Sequence, residues 1–182
     1  MKNPPSIDTL AEAIQEILTE TLIPEVELLL SSPLMKELGL DSLDMIEASF
    51  ALEEAFDVEF SGRNAIEELD RVVGDEIILR EGFLTDLGTK ILLQRMPALA
   101  EVELPGSLRA ADIPQYFTIR TFAGVIKDFY DQTPDLSPNG EVAVLVGLEV
   151  ISKGSGEPVP PPTGDEILES WLEEKSKEIS GE

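Results

Sequence analysis

The chain has 182 residues, with 13 Lys and Arg against 37 Asp and Glu, a formal net charge of −24, and neither His nor Cys. That balance excludes nucleic-acid binding as the main activity, because phosphate recognition needs clustered cations. The missing side chains exclude a Ser-His-Asp triad, a cysteine nucleophile, a thiolate or imidazole metal site and any disulfide.

Ser6 precedes a run in which Leu10, Ile14, Ile17, Leu18 and Thr21 recur at helical spacing, opposite Glu12, Glu16 and Glu20. The pattern predicts an amphipathic helix capped by Ser6 and stopped at Pro24. Residues 23–40 are apolar but aperiodic, so Leu28, Leu29, Leu30, Leu34 and Met35 are expected to fold over an apolar surface. A second helix is predicted from Asp41-Ser42 through Phe56, with Leu43, Ile46, Phe50 and Phe56 inward, Leu52 near the edge, and Asp44, Glu47, Glu53 and Glu54 outward.

Short helices are predicted from Asn64 to Val73 and from Phe83 to Met96, the latter stopped by Pro97. Ala100 to Leu104 reads as a short strand or extended connection. Thr118 to Asp131 is again helical, with Ile119, Phe122, Ala123, Ile126, Phe129 and Tyr130 on one face. A turn-rich stretch from Thr133 to Gly140 follows. Asp135, Ser137, Asn139 and Gly140 imitate the opening of a calcium loop, but its twelfth position is Val146 and Pro138 interrupts it, so the stretch is read as a turn. Glu141 to Ile151 alternates as a strand, Lys153 to Gly164 reads as an exposed linker, and Asp165 caps a last helix with Ile167, Leu168, Trp171 and Leu172 on its apolar face. Trp171 is expected to dock on this chain's own core more readily than in a partner's groove.

No apolar run approaches the roughly 18 residues that a membrane span needs. Met1-Lys2-Asn3-Pro4-Pro5 lacks a signal-peptide core. A cytoplasmic monomer without a membrane span is expected. Charge is uneven along the chain: residues 1–60 hold 2 basic and 14 acidic residues, whereas residues 61–112 hold 6 and 10. The six cations of that middle segment are candidates to pair with the acidic helices or to help enlarge a cavity.

The most informative stretch is Leu38-Gly39-Leu40-Asp41-Ser42-Leu43-Asp44, which delivers a serine to the first turn of a helix. Free N–H groups there favour a bound anion, while Asp41 and Asp44 oppose one and suit docking to basic proteins. An isolated Asp-Ser-Leu is ordinarily just a helix start. The run from Leu38 to Phe60, however, resembles the acyl carrier protein family, including peptidyl carrier domains, almost throughout. The first helix and the segment from Phe117 to Phe129 resemble that family's first and last helices.

The resemblance implies a mainly α fold: an acyl-carrier-like helical bundle (1–60 and 113–132) with a helical insertion (61–112) between the second and last bundle helices. Residues 133–182 are then a C-terminal extension with a short strand and a helix. It implies that Ser42 receives 4′-phosphopantetheine from coenzyme A through a phosphopantetheinyl transferase. It also implies that Asp41, Asp44, Glu47, Glu53 and Glu54 meet basic patches on acyl-transferring, condensing or modifying enzymes. Met45 and Ala48 either add apolar contact there or pack in the bundle. The reading is a non-catalytic carrier for fatty acid, lipid or polyketide-type biosynthesis. The alternative is an unmodified adaptor using its acidic second helix; an enzyme with Ser42 as nucleophile and Lys36 as base ranks far below.

Overall fold

The Ser6 hydroxyl accepts the Thr9 N–H at 3.1 Å and so starts the first helix where the sequence places it. A computed structural model describes residues 3–181. Met1, Lys2 and Glu182, which fall in the expected segments 1–60 and 133–182, lie outside the described residues. The helices are α1 (Ile7–Leu22), α2 (Ser42–Phe56), α3 (Ala65–Val73), α4 (Asp86–Arg95), α5 (Ile119–Gln132) and α6 (Gly164–Ser180). Two short antiparallel pairs accompany them, β1 (Leu79–Arg80) with β2 (Phe83–Leu84) and β3 (Ala143–Val146) with β4 (Glu149–Ser152). Pro97–Glu101 and Ala110–Tyr116 form 3-10 turns.

Two hydrophobic cores result. In the first, Leu10, Ile14 and Leu18 of α1 meet Ala48, Leu52 and Phe56 of α2 and Ile119, Phe122 and Ile126 of α5. The apolar loop between α1 and α2 covers this bundle, as expected: Leu28 and Leu34 are fully buried, although Leu29 points to solvent. Two backbone bonds fasten the loop to the start of α5, Leu34 N–H to the Phe117 carbonyl (2.9 Å) and Arg120 N–H to the Leu30 carbonyl (3.1 Å). The β3–β4 hairpin leans on the same core through Leu145, Leu148 and Val150. There the Tyr130 hydroxyl donates to the Leu148 carbonyl at 2.5 Å, and burial pushes its pKa up to about 12.

The second core gathers Ile66 and Leu69 of α3, Ile78 and Leu79, Ile91 and Leu92 of α4, Leu99, and Leu168 and Leu172 of α6. The last helix, expected as part of a separate extension, thus completes the core of the insertion. Trp171 docks half-buried on this core, under the Arg95 guanidinium at 5.5 Å from the ring centre.

Several local expectations change. Phe83 and Leu84 pair with β1, and α4 starts only at Asp86, capped by the Thr85 hydroxyl on the Gly88 N–H. Ala100 and Glu101 lie in a 3-10 turn that Pro97 opens, not in a strand. The alternation from Glu141 to Ile151 is a hairpin: Gly147, with φ 63°, turns the chain so that Val146 faces Glu149 across a two-residue loop. Lys153 to Gly164 is tied along β4 by Val159 N–H to the Val150 carbonyl (2.8 Å), and Val159 is buried. Thr163, not Asp165, caps α6, in a capping box with Glu166; Asp165 instead accepts the Ser61 hydroxyl at 2.6 Å.

Candidate functional site: the first turn of α2

Gly39 adopts φ 80°, a left-handed conformation that glycine takes without steric cost. This turn sends Leu40 into the bundle core, where its N–H bonds the Leu34 carbonyl at 3.0 Å, and leaves Asp41 at the N-cap of α2. The Asp41 carboxylate accepts the N–H groups of Leu43 (2.8 Å) and Asp44 (3.0 Å), and the Asp44 carboxylate accepts the Asp41 N–H (2.8 Å). Ser42 is the first residue of the helix and is exposed. A loop anchored by the buried Leu34 and Leu40, together with a reciprocal cap, therefore fixes the backbone under an exposed hydroxyl.

The expected anion site on the helix N–H groups is not free. Asp41 occupies the N–H groups of Leu43 and Asp44, so a phosphate placed on Ser42 would be held by its covalent bond alone and directed outward by two neighbouring carboxylates. An ester on an exposed hydroxyl needs no further pocket for its phosphate. The chemistry of the residues present therefore fits covalent attachment of a long prosthetic arm.

The faces of α2 differ from the sequence expectation. Leu43, Ile46 and Phe50 are 72, 52 and 66% exposed, while Ala48, Leu52 and Phe56 are buried and Met45 packs half-buried on the core. At roughly 100° per residue, Leu43, Ile46 and Phe50 form a stripe beside Ser42, with Glu47 and Glu54 along its far edge. The apolar stripe was legible by its spacing, but its direction was not: Ala48 and Leu52 let α2 lie close against α1, and this leaves the larger residues outside.

The five acidic positions do not act alike. Glu47 and Glu54 are exposed on the stripe's edge. Asp41 and Asp44 lie beside Ser42 but are engaged in the cap. Glu53 is half-buried and accepts the Phe60 N–H at 2.7 Å, stabilising the chain's exit from α2. Lys36 is drawn aside, its ammonium 5.6 Å from the centre of the Tyr116 ring.

A small helical bundle presenting an exposed serine on the first turn of its second helix has the architecture of a carrier domain. Residues 8–74 match the family described as phosphopantetheine attachment site. This segment is accordingly a phosphopantetheine-binding domain of the acyl carrier type, the place of covalent 4′-phosphopantetheine attachment. The match ends at Gly74, the C-cap of α3, and so takes in a helix whose buried side chains belong to the second core. No solved structure matches the chain. None of the described helices is long and apolar enough to cross a membrane.

Proposed function

We propose that Ser42 bears the 4′-phosphopantetheine and that the chain acts as a non-catalytic carrier in fatty acid, lipid or polyketide-type biosynthesis. The observation that supports this most is the exposed Ser42 hydroxyl on a rigidly capped first turn within the matched attachment segment. Transfer joins the Ser42 Oγ to the phosphorus of the arm and breaks the pyrophosphate bond of coenzyme A, releasing the nucleoside bisphosphate. The hydroxyl proton goes to a base on the transferase, since Asp41 and Asp44 are committed to the cap and the chain has no His. Once bound, the arm supplies the thiol that the sequence lacks and carries acyl groups as thioesters.

The face beside Ser42 suits successive partners with basic, partly apolar docking patches. Glu47 and Glu54 steer encounter, and Leu43, Ile46 and Phe50 provide area that is buried only while a partner is bound. Incubation with coenzyme A and a broad-specificity phosphopantetheinyl transferase, followed by intact mass, tests the reading. One added arm is expected on the wild type and none on Ser42→Ala. An unchanged wild-type mass, together with full cellular function of Ser42→Ala, would favour the adaptor reading instead.

A further inference from the structure

The β3–β4 hairpin is apolar on both faces. Leu145 and Val150 pack on the bundle core, so strand alternation turns Val142, Val144, Val146 and Ile151 the other way. The register sets Ile151 beside Val144 and Glu149 beside Val146, and Leu136 bridges to Val142 from the preceding turn. Leu136, Val142 and Val146 are 54, 43 and 56% exposed, and Val144 and Ile151 are half-buried. A solvated sheet face ordinarily carries polar side chains at such positions, whereas a contiguous apolar one marks a contact surface.

We propose that this outer face binds a second copy of the chain, the two hairpins packing face to face about a two-fold axis as a reversible homodimer. The proposal is independent of the reading of Ser42 as the attachment residue.

Charge selects this occupant. Glu149 and Lys153 lie on the same side of β4 as Ile151, two residues before it and two after it. Lys153 continues the ladder, its N–H bonding the Val142 carbonyl at 2.9 Å. Both side chains are exposed, and among the described residues neither forms an ion pair. A two-fold axis at the Val144 and Ile151 pair, lying between the sheets and across the strands, runs each strand antiparallel over its own copy. Val144 then meets Val144, Ile151 meets Ile151, Val142 meets Val146, and Glu149 meets Lys153 in both directions. The face is thus complementary to itself in charge as well as in apolar character, which a two-fold contact requires.

A net charge of −24 on each copy opposes any approach. The seven residues from Val142 to Leu148 carry no charge in a chain that is 27% charged, so this contact brings few carboxylates together. The remaining repulsion comes from distant charges, which physiological salt screens beyond about 8 Å. Three exposed apolar side chains per copy fall short of the roughly 800 Å² per partner of a stable interface. The dimer is therefore weak, and the monomer expected from the sequence is its dilute state.

Sedimentation velocity on the full chain, across protein concentrations at low and high salt, tests the proposal. The dimer fraction is expected to rise with concentration and with salt, the opposite salt response to docking of a basic protein on α2. Val146→Glu, at an exposed position, should raise the dissociation constant about tenfold or more while melting and arm transfer to Ser42 stay unchanged. Lys153→Glu should also weaken the dimer, and adding Glu149→Lys to it should restore association. Because the chain has no Cys, oxidation gives a second readout. Val144→Cys should form a disulfide between copies, and Leu29→Cys, exposed on the loop between α1 and α2, should not. A monomer at every concentration and salt overturns the proposal and leaves the face to a different protein. A dimer that Val146→Glu leaves intact, or that the Leu29 variant cross-links as readily, overturns its assignment to this face.

Discussion

The bundle of α1, α2 and α5 and the second core of α3, α4 and α6 bury similar sets of leucines and isoleucines, yet they use their charges in opposite ways. In the second core, Arg63, Arg71 and Arg80 pair with glutamates of the same region or of α6. Among the described residues, Arg95 alone of the middle segment's cations bridges to the bundle, through Asp128 of α5. Within the bundle, Arg120 pairs with Asp8 and Lys127 with Asp131. Among the described residues, no cation pairs with Asp41, Asp44, Glu47, Glu53 or Glu54. Half of the insertion's six cations thus pair within the second core, and none pairs with the α2 carboxylates, although the insertion adjoins that face in sequence. Acidity at α2 is maintained by where the cations are placed, not by a shortage of them nearby.

Core truncations separate the two regions most strongly. Leu52→Ala removes a fully buried side chain from the bundle and should cost about 2–5 kcal/mol, measured by denaturant unfolding, with loss of arm transfer in proportion to the unfolded fraction. Leu172→Ala, at the second core, should destabilise by a similar amount but loosen α3 and α6 first, with hydrogen exchange rising there before it rises in α1. Equal exchange changes in both regions would mean that the cores unfold as one.

Gly164 joins the regions. Its N–H donates to the Glu59 carbonyl at 2.6 Å, and a Cβ at this position would run into the backbone of residues 59–61. Gly164→Ala should therefore cost about 1–3 kcal/mol and increase proteolysis between β4 and α6. Unchanged melting and cleavage would show that this close approach is dispensable.

Charge reversal at Glu47 and Glu54 acts on encounter and not on folding. The double Lys substitution should slow arm transfer about tenfold at low salt, with the deficit shrinking at high salt and thermal stability nearly unchanged. Glu53→Gln provides the contrast: it weakens the bond to the Phe60 N–H and should reduce stability by about 1 kcal/mol with little effect on the transfer rate.

The smallest expected effect concerns acid. The Ser152 hydroxyl and then the Ser155 N–H hold the Glu141 carboxyl below the usual glutamate range. Because the folded pKa is depressed, this support is complete above the ordinary range and lost as pH falls through the depressed value. Glu141→Gln should remove that part of the acid sensitivity, seen as hydrogen exchange at β3 and β4 that no longer accelerates over the same pH interval.

Much of this arrangement could be read before the structure. The stripes of α1 and α5 point inward as their spacing demands, because each has one apolar face only. On α2, apolar residues occur on two faces, and periodicity alone does not reveal that Ala48 and Leu52 face α1 while Leu43, Ile46 and Phe50 face solvent. The cap of α6 was available in Thr163-x-x-Glu166 and the hairpin in Gly147, but an adjacent Asp165 and an unbroken valine alternation pointed elsewhere. The exposed place of Ser42 on the first turn of α2 was legible from its motif.

The central claim is that Ser42 carries the arm. Proteolytic digestion of the transferase-treated chain, followed by fragmentation of the peptide spanning Gly39 to Phe56, tests it most directly. The account predicts a phosphopantetheine mass localised to Ser42 and lost from that residue on phosphodiester cleavage; an arm found on Ser49 or any other residue, with Ser42 unmodified, contradicts it.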